Sequence, residues 1–374
     1  MSIEIREVFS RSDLKKFIFL PAKIHKNHKN WVPPVYMDER VFFNPKKNNS
    51  FSHSDTVLYL AWNNGYAVGR IMGIINHHYN QKTGENDARF CFLECYEDFS
   101  ATEALLKSVE NWAITKGATN LVGPLGFSDK DPQGLLIEGY DKPVVIASAC
   151  NFPFLVDFVG KMGFSKKTDL VVYQVKIPDE IPDFYVKIYD RAINNNPHLK
   201  IVEPKTKAEL KKMVRPVFHL VNETFKDIYG FSEMTIQEMD EFADRYLLIL
   251  DPRFIKVIKN PEGQIISFIL AMPDISEGIK KSKGFVFPFG FIPILLSQKR
   301  TKQLNLLLGA ISEKYRNSGL DTILGVLMLR EATKAGFKCI DSHLELETNT
   351  KVRAEMEKMG GQVYKRFRIF TKML

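Results

Sequence analysis

The fold turns on one stretch: Gln303-Leu-Asn-Leu-Leu-Leu-Gly-Ala-Ile311, then Ser-Glu-Lys-Tyr-Arg316-Asn-Ser-Gly319-Leu-Asp321, then a run to Ala335-Gly336. The first segment reads as a strand and the last as a helix stopped by glycine. A strand ending in a turn with a permissive glycine, where a helix begins, points several backbone N–H groups outward. The helix dipole adds partial positive charge at the same place. Pyrophosphate oxygens fit such a junction: Arg316 would add a charge-assisted bond, and Gly319 lets a ligand approach with no Cβ in the way.

Downstream, Cys339–Leu346 reads as a strand, Thr350–Met359 as a helix closed by Gly360, and Gln362–Thr371 as the last strand. Upstream come a strand at Ile201–Glu203 and helices at Lys207–Phe225 and Thr235–Tyr246. A hairpin, Phe254–Lys259 with Gln264–Ala271, turns at Asn260-Pro-Glu-Gly263.

The first half shows the same order. Ile3–Val8 is a strand, and a helix starts at Asp13, whose carboxylate is expected to cap the amides from Leu14 onward. A loop rich in Asn, Lys and Pro spans about His25 to Asp55. Thr56–Trp62 and Tyr66–Ile75 form a hairpin at Asn63-Asn64-Gly65, residues that tolerate positive φ. Then come the strand Arg89–Tyr96, the helix Ala101–Lys116, the strand Thr119–Val122, an irregular stretch from Gly123 to Pro143, the helix Phe152–Met162 and the strand Lys167–Val175. Each half closes a helix alike, with Lys161-Met-Gly163 in the first and Lys358-Met-Gly360 in the second. The linker candidate between the halves is Ile177-Pro-Asp-Glu-Ile-Pro182.

A length of 374 residues suits two cores better than one. The start is charged and has no apolar signal region, and no run of eighteen apolar residues occurs, so neither export nor a membrane partner is expected. The four cysteines show no C-x-x-C pair and no paired histidine spacing, which supports neither a disulfide framework nor a metal site and fits a cytoplasmic location. Cys91 and Cys95 fall on one face of their strand and read as packing. The net charge of +8 favours anionic partners, but it is spread over separate doublets such as Lys280-Lys281 and Lys299-Arg300, which read as solvated.

The segment Arg316-Asn-Ser-Gly319-Leu-Asp321, with Asn349 and Glu357-Lys-Met-Gly360 after it, resembles the R/Q-x-x-G-x-G/A loop and the N…Y-E-K-L-G-F segment of the GNAT superfamily of acyl-CoA N-acyltransferases. The resemblance covers roughly Lys200 to Leu374; over Met1 to Val175 it rests on topology alone. It implies an α/β (α+β) fold of two tandem GNAT-like domains, each a mixed, mostly antiparallel sheet flanked by helices, at 1–178 and 179–374. It further implies acetyl-CoA or another acyl-CoA as cosubstrate, bound by Gly309, Ile311, Arg316, Asn317, Ser318, Gly319, Asp321 and Asn349, with backbone N–H groups near Gly309 polarising the thioester carbonyl. The first copy has Glu97-Asp-Phe-Ser100 in place of this loop and reads as degenerate for the cofactor.

Asp321 departs from the family's glycine or alanine. It reads either as a charge that weakens diphosphate binding or as the N-cap of the following helix. The strand Ile340–Glu347 alternates Ser342, Leu344 and Leu346 with Asp341, His343, Glu345 and Glu347. Glu345 or Glu347, with His343 as the third candidate, is thus either the base for aminolysis or part of a charged edge strand. The family's tyrosine acid falls on Met356 here and on Val159 in the first copy, so Tyr364 is the nearest substitute, unless it only packs. In the irregular stretch, Ser128 and Asp129 are the candidates for touching substrate. The expected function is acyl transfer from acyl-CoA to a small-molecule amine or peptide in a cleft between the domains. A catalytically silent ligand-binding protein and an aminoacyl-tRNA-dependent transferase are the alternatives.

Overall fold

The structure is a computed structural model that describes residues 3–146, 148–247 and 249–374, with the backbone alone at residue 245. The first copy runs β1 (Glu4–Glu7), α1 (Arg11–Ile24), α2 (Tyr36–Phe42), β2 (Ser54–Asn63), β3 (Tyr66–Asn76), α3 (His77–Thr83), β4 (Asp87–Cys95), α4 (Phe99–Thr115), β5 (Asn120–Gly123), β6 (Leu135–Glu138), α5 (Pro153–Lys161) and β7 (Ser165–Lys176). The second runs α6 (Asp183–Asn195), β8 (Lys200–Val202), α7 (Lys207–Phe225), α8 (Ile236–Tyr246), β9 (Ile255–Lys259), β10 (Ile265–Pro273), α9 (Ser276–Lys281), α10 (Phe291–Arg300), β11 (Gln303–Ile311), α11 (Leu320–Lys334), β12 (Cys339–Asp341), β13 (Glu345–Leu346), α12 (Thr350–Lys358) and β14 (Gln362–Met373). Sequence reading missed α2, α3, α6, α9 and α10.

Local chemistry sets the boundaries. The β2–β3 hairpin turns through Asn64 and Gly65 at φ 50° and 80°. α1 is capped by Ser10, whose Oγ accepts the Asp13 N–H at 3.0 Å; Asp13 lies inside the first turn and is not the cap expected from sequence. Gly163 and Gly360 take the left-handed conformation after α5 and α12, at φ 85° and 76°.

One continuous sheet joins the copies, in the order β1-β2-β3-β4-β5-β14-β7-β12-β11-β10-β9-β8. The order is symmetric about its centre: β5 pairs with β14, the last strand of the other copy, and β12 pairs with β7. Each copy's final strand therefore completes its partner's sheet, and β7 and β14 lie antiparallel between them.

Each copy has one parallel strand pair that holds for three residue pairs and then parts. In the first it is Asp87–Arg89 of β4 against Asn120–Val122; in the second it is Gln303–Asn305 of β11 against Cys339–Asp341. Just beyond, β4 and β11 each carry one residue too many against their antiparallel neighbour, between Arg70/Met72 and between Leu270/Ala271. The bulge reverses the side-chain alternation. Cys91 packs in the core with Phe17 and Phe43, whereas Cys95 packs with Leu105 and Val109, so the two cysteines are buried on opposite faces and not on one. Likewise Leu304 faces the core of Phe254 and Phe337, and Ala310 that of Phe218 and Phe231.

Candidate functional site

Where β11 and β12 part, the sheet opens into a V, and its vertex is polar. Asn305 and Asp341, the last residues paired there, are fully buried. The Asp341 carboxylate accepts the His343 N–H at 2.8 Å and the hydroxyl of Tyr364. Lys365 Nζ donates to Tyr364 Oη at 3.0 Å, and Asn305 Nδ2 donates to Asp274 Oδ1 at 3.1 Å. Tyr364 and Lys365 are neighbours in sequence yet meet because β14 carries an extra residue between Val363 and Lys365. Burial, and then the Asp341 charge, push the Tyr364 phenol well above its usual range, so its proton is tightly held. Burial lowers Lys365 and His343.

Beyond the vertex β11 has only β10 beside it, and Gly309 is exposed. Ile311 packs beneath α11 with Ile266 and Ile323. The junction that follows is bent by Asn317 (φ 63°) and Gly319 (φ 83°), and no side chain caps the first amides of α11. Ser318 is held by its Oγ to Tyr315 O at 2.5 Å and by Asn196 Nδ2 to its own carbonyl at 2.8 Å. Arg316 is exposed, 3.8 Å from Glu313. This backbone fits an anion such as a diphosphate: left-handed residues and uncapped amides form a concavity of partial positive charge.

Asp321 is not the N-cap that sequence allowed, because Gly319 holds that position and Asp321 lies in the first turn. It hydrogen-bonds Glu355 of α12, whose carboxyl rises to about 7 through burial and then the Asp321 charge. Glu345 stands beside Glu355 and is pushed up to about 8, mainly by burial. At pH 7 Glu345 is therefore mostly neutral and Glu355 about half so, which reduces the repulsion a diphosphate would meet.

The strand expected over Ile340–Glu347 is broken at His343, which takes φ 58° and divides β12 from β13. Asp341 and Ser342 are consequently both buried, and the expected alternation fails. β12 is interior, paired with β11 and β7, whereas β13 pairs with β7 alone and its other side borders the V. Glu347 is engaged structurally: it accepts the Asp169 N–H at 3.0 Å and pairs with Lys166 at 2.7 Å. Asn349 occupies the N-cap position of α12 without a side-chain capping bond. Leu344, Leu346 and Tyr364 share one apolar cluster, so Glu345, between the two leucines, faces the opposite side of the sheet.

The first copy's V is filled. The Leu125 N–H donates to Phe90 O at 2.9 Å, and Arg89 Nη1 donates to the carbonyls of Gly126 and Phe127 at 3.0 and 2.9 Å. A Cβ on Gly123 would lie 2.2 Å from Phe90 O, so the irregular stretch seats itself against β4 where a ligand would otherwise enter. The Asp98 side chain also caps α4, accepting the Ser100 N–H at 2.9 Å, which leaves no free amide cradle like that of α11.

Ser128 lines a cleft of about 400 Å³ between the copies, with Phe42, His53, His78, Lys130 and Phe231. Asp129 stitches the seam instead: its N–H donates to Gly230 O at 3.1 Å and its carboxylate meets Lys130 at 3.3 Å. Sequence reasoning missed a second polar line beside Lys365. His25 lies flat between Trp31 and Phe152, 3.4 Å from Glu94 and, through Nδ1, 3.0 Å from His28 Nδ1. His28 is 3.9 Å from Cys150 Sγ, and burial pushes that thiol up to about 12, which keeps it protonated at neutral pH. Asp341, Lys365, His25 and Cys150 come from distant parts of the chain, so no local motif announces them.

The strand order, the bulged strand and the V, present twice, define the class: the chain has the tandem GNAT N-acyltransferase fold. Among solved structures it is similar to the tandem GNAT protein from the clavulanic acid biosynthesis pathway, at 12% identity and a TM-score of 0.55 over 100% of this chain and 98% of the other. No protein-family model matches the chain. In sequence it is similar to the bacterial ceramide synthase of Caulobacter vibrioides, 26% identical over 379 residues covering 100% of this chain and 98% of the relative. It is 25% identical to Protein YghO of Escherichia coli, covering 99% and 95%.

Proposed function

We propose that the chain is an N-acyltransferase that moves a long acyl group from an acyl-CoA to the amino group of a long-chain amino alcohol, using the V of the second copy. The observation that carries this reading is the asymmetry between the two Vs. One is filled by its own loop, through the Leu125 N–H on Phe90 O, while the other leads from a buried polar vertex to uncapped amides. The acyl and acceptor classes rest on end-to-end similarity to a protein named for ceramide synthesis, a ceramide being the N-acyl derivative of a long-chain amino alcohol.

Forming an amide from an amine and a thioester makes one C–N bond, breaks one C–S bond and moves one proton from nitrogen to sulfur. Residues Asn317 to Asp321 would hold the diphosphate, with Arg316 adding charge. Tyr364 would supply the proton to the departing thiolate, giving up the bond its hydroxyl now donates to Asp341, and Lys365 Nζ, 3.0 Å from the phenol oxygen, would replace that proton. Asp341 fixes the phenol in position. Glu345, at about 8, mostly holds its own proton at pH 7 and would act as the base, from the other face of the sheet, in the ionised fraction that grows as pH rises toward 8. The V interrupts the sheet there, so both faces have access to it.

The test is turnover: the protein with a long-chain acyl-CoA and a panel of a long-chain amino alcohol, a short alkylamine and a lysine peptide, following free thiol and amide product. Thiol release with the long-chain amino alcohol alone is expected. Thioester binding without thiol release for every amine would overturn the reading in favour of a silent binding protein.

A further inference from the structure

The insertion between β10 and β11, Ser276–Arg300, carries a surface that the acyl-transfer chemistry leaves unused. α9 and α10 pack tightly on one another at Gly278, where an added Cβ would lie 2.5 Å from Ile294 Cα. Their inner faces bury Ile275, Ile279 and Ile294 against Met272. The segment is anchored on the first copy: the Tyr36 N–H donates to Gly284 O at 3.0 Å, and Phe285 packs on Tyr36 with ring centroids 4.9 Å apart. What remains outside is apolar. Phe285, Phe287, Phe289, Phe291, Ile292, Leu295 and Leu296 are all exposed, Phe287 at 68% and Phe289 at 73%. Large exposed apolar side chains elsewhere among the described residues, such as Phe9, Tyr66 and Met373, stand apart along the chain.

A concentrated patch of this kind marks an interaction surface, and its rim indicates the partner. Exposed Lys280 and Lys283 lead into the aromatic tip, Lys299 and Arg300 close α10 at its other end, and Lys29 is tied in by the bond from Lys280 Nζ to Lys29 O at 2.5 Å. Glu277, the one acid in Ser276–Arg300, is held by Lys281. The doublets Lys280-Lys281 and Lys299-Arg300 are 19 residues apart in sequence, but the α9–α10 packing brings their helices together. Aromatic and aliphatic side chains at the tip with lysine and arginine on the flanking helices match the two layers of an anionic bilayer surface, acyl chains below and phosphates above. Among the described residues no helix is long and apolar enough to cross a membrane, so any attachment by this face is peripheral.

We propose that Ser276–Arg300 docks the protein on anionic phospholipid bilayers, with Phe287 and Phe289 entering the acyl boundary and Lys283, Lys299 and Arg300 resting on the phosphates. Leu307, the bulge residue of β11 beside the V, packs in the same cluster as Ile294, so the docking face adjoins the candidate site. Delivery of a long-chain amine from the bilayer to the V rests on the acyl-transfer reading; the docking does not.

Sedimentation of the full chain with vesicles tests the docking without thioester or amine. Phosphatidylcholine mixed with phosphatidylglycerol is expected to carry the protein down, phosphatidylcholine alone much less, and added salt should weaken the binding. Phe287→Ser with Phe289→Ser should lower the partition coefficient about tenfold or more, and Lys283→Glu with Lys299→Glu should remove the preference for anionic vesicles, with melting temperatures unchanged because these side chains are exposed. Failure to bind anionic vesicles, or equal binding by the double Phe variant, overturns the proposal. So does a wild-type dimer that ignores vesicles and becomes monomeric in that variant, since the face would then be an interface between copies.

Discussion

Tyr364→Phe removes one oxygen atom from the buried Asp341–Tyr364–Lys365 chain, and the structure separates its two consequences. The first is structural. The phenol donates to Asp341 and accepts from Lys365, and both partners are at most 2% exposed, so two buried groups lose a bond. The expected cost is about 1–3 kcal/mol of stability. The second is chemical. If Tyr364 gives the thiolate its proton, kcat should fall by ~10²–10⁴, or about 3–5 kcal/mol in the barrier, with KM for the amine little changed. A change of leaving group tells the two apart. A thioester of an acidic aromatic thiol departs without protonation, so the Phe variant should recover most of the wild-type rate on it while its stability stays low. Rates are read by thiol release and stability by chemical denaturation. A variant that keeps the wild-type kcat on the ordinary thioester, or is equally slow with both leaving groups, would refute the assignment of Tyr364 as proton donor.

Glu345→Gln tests the buried carboxyl through linkage. The folded chain holds its proton up to about 8 against an ordinary 4.5, so the contribution is full below 4.5 and is lost as pH rises through 8, by about 1.4 kcal/mol per unit and at most about 5 kcal/mol in all. Unfolding free energies at several pH values should decline less steeply across this window in the Gln variant; parallel curves would show that Glu345 does not titrate there. Gly319→Val should lower both stability and acyl-CoA affinity, because φ is 83° and a Cβ would lie 3.1 Å from that of Ala192. A loss of about 1–2 kcal/mol on denaturation is expected, and unchanged affinity in calorimetry would remove Gly319 from the cradle. Arg89→Met orphans the Gly126 carbonyl and leaves the Phe127 carbonyl to Asn76 Nδ2 alone, and should cost about 1–3 kcal/mol while leaving kcat of the folded protein intact. A lost kcat at unchanged stability would place chemistry in the first copy's V.

What could be read from sequence was what neighbouring residues decide. Asn64-Gly65 predicts its hairpin because both accept positive φ, and Gly163 and Gly360 predict helix ends for the same reason. The junction after Ile311 was visible because a strand, a glycine and a helix follow one another in the chain. The bulges were not: they fall in the apolar runs Cys91-Phe-Leu93 of β4 and Leu306-Leu-Leu308 of β11, so no polar residue marks where alternation reverses, and Cys91 and Cys95 read as sharing a face. α10 begins just after Pro288 and Gly290 and carries Pro293 in its first turn, where the missing N–H costs nothing, so its start has no ordinary helix signal in sequence. The vertex was hidden for a topological reason. Asp341 and Tyr364 meet through strand exchange at the centre of the sheet, and Lys365 joins them only because β14 is irregular there.

The central claim is that the second copy's V and the amide cradle at its mouth receive the thioester while the first copy's V stays filled. Hydrogen–deuterium exchange with and without a long-chain acyl-CoA tests it most directly. Protection is expected at the amides of Asn317 to Thr322, uncapped in the free chain, and along Leu306 to Gly309, with none at Glu97 to Thr102. Protection at the start of α4, or none at the start of α11, would contradict the account.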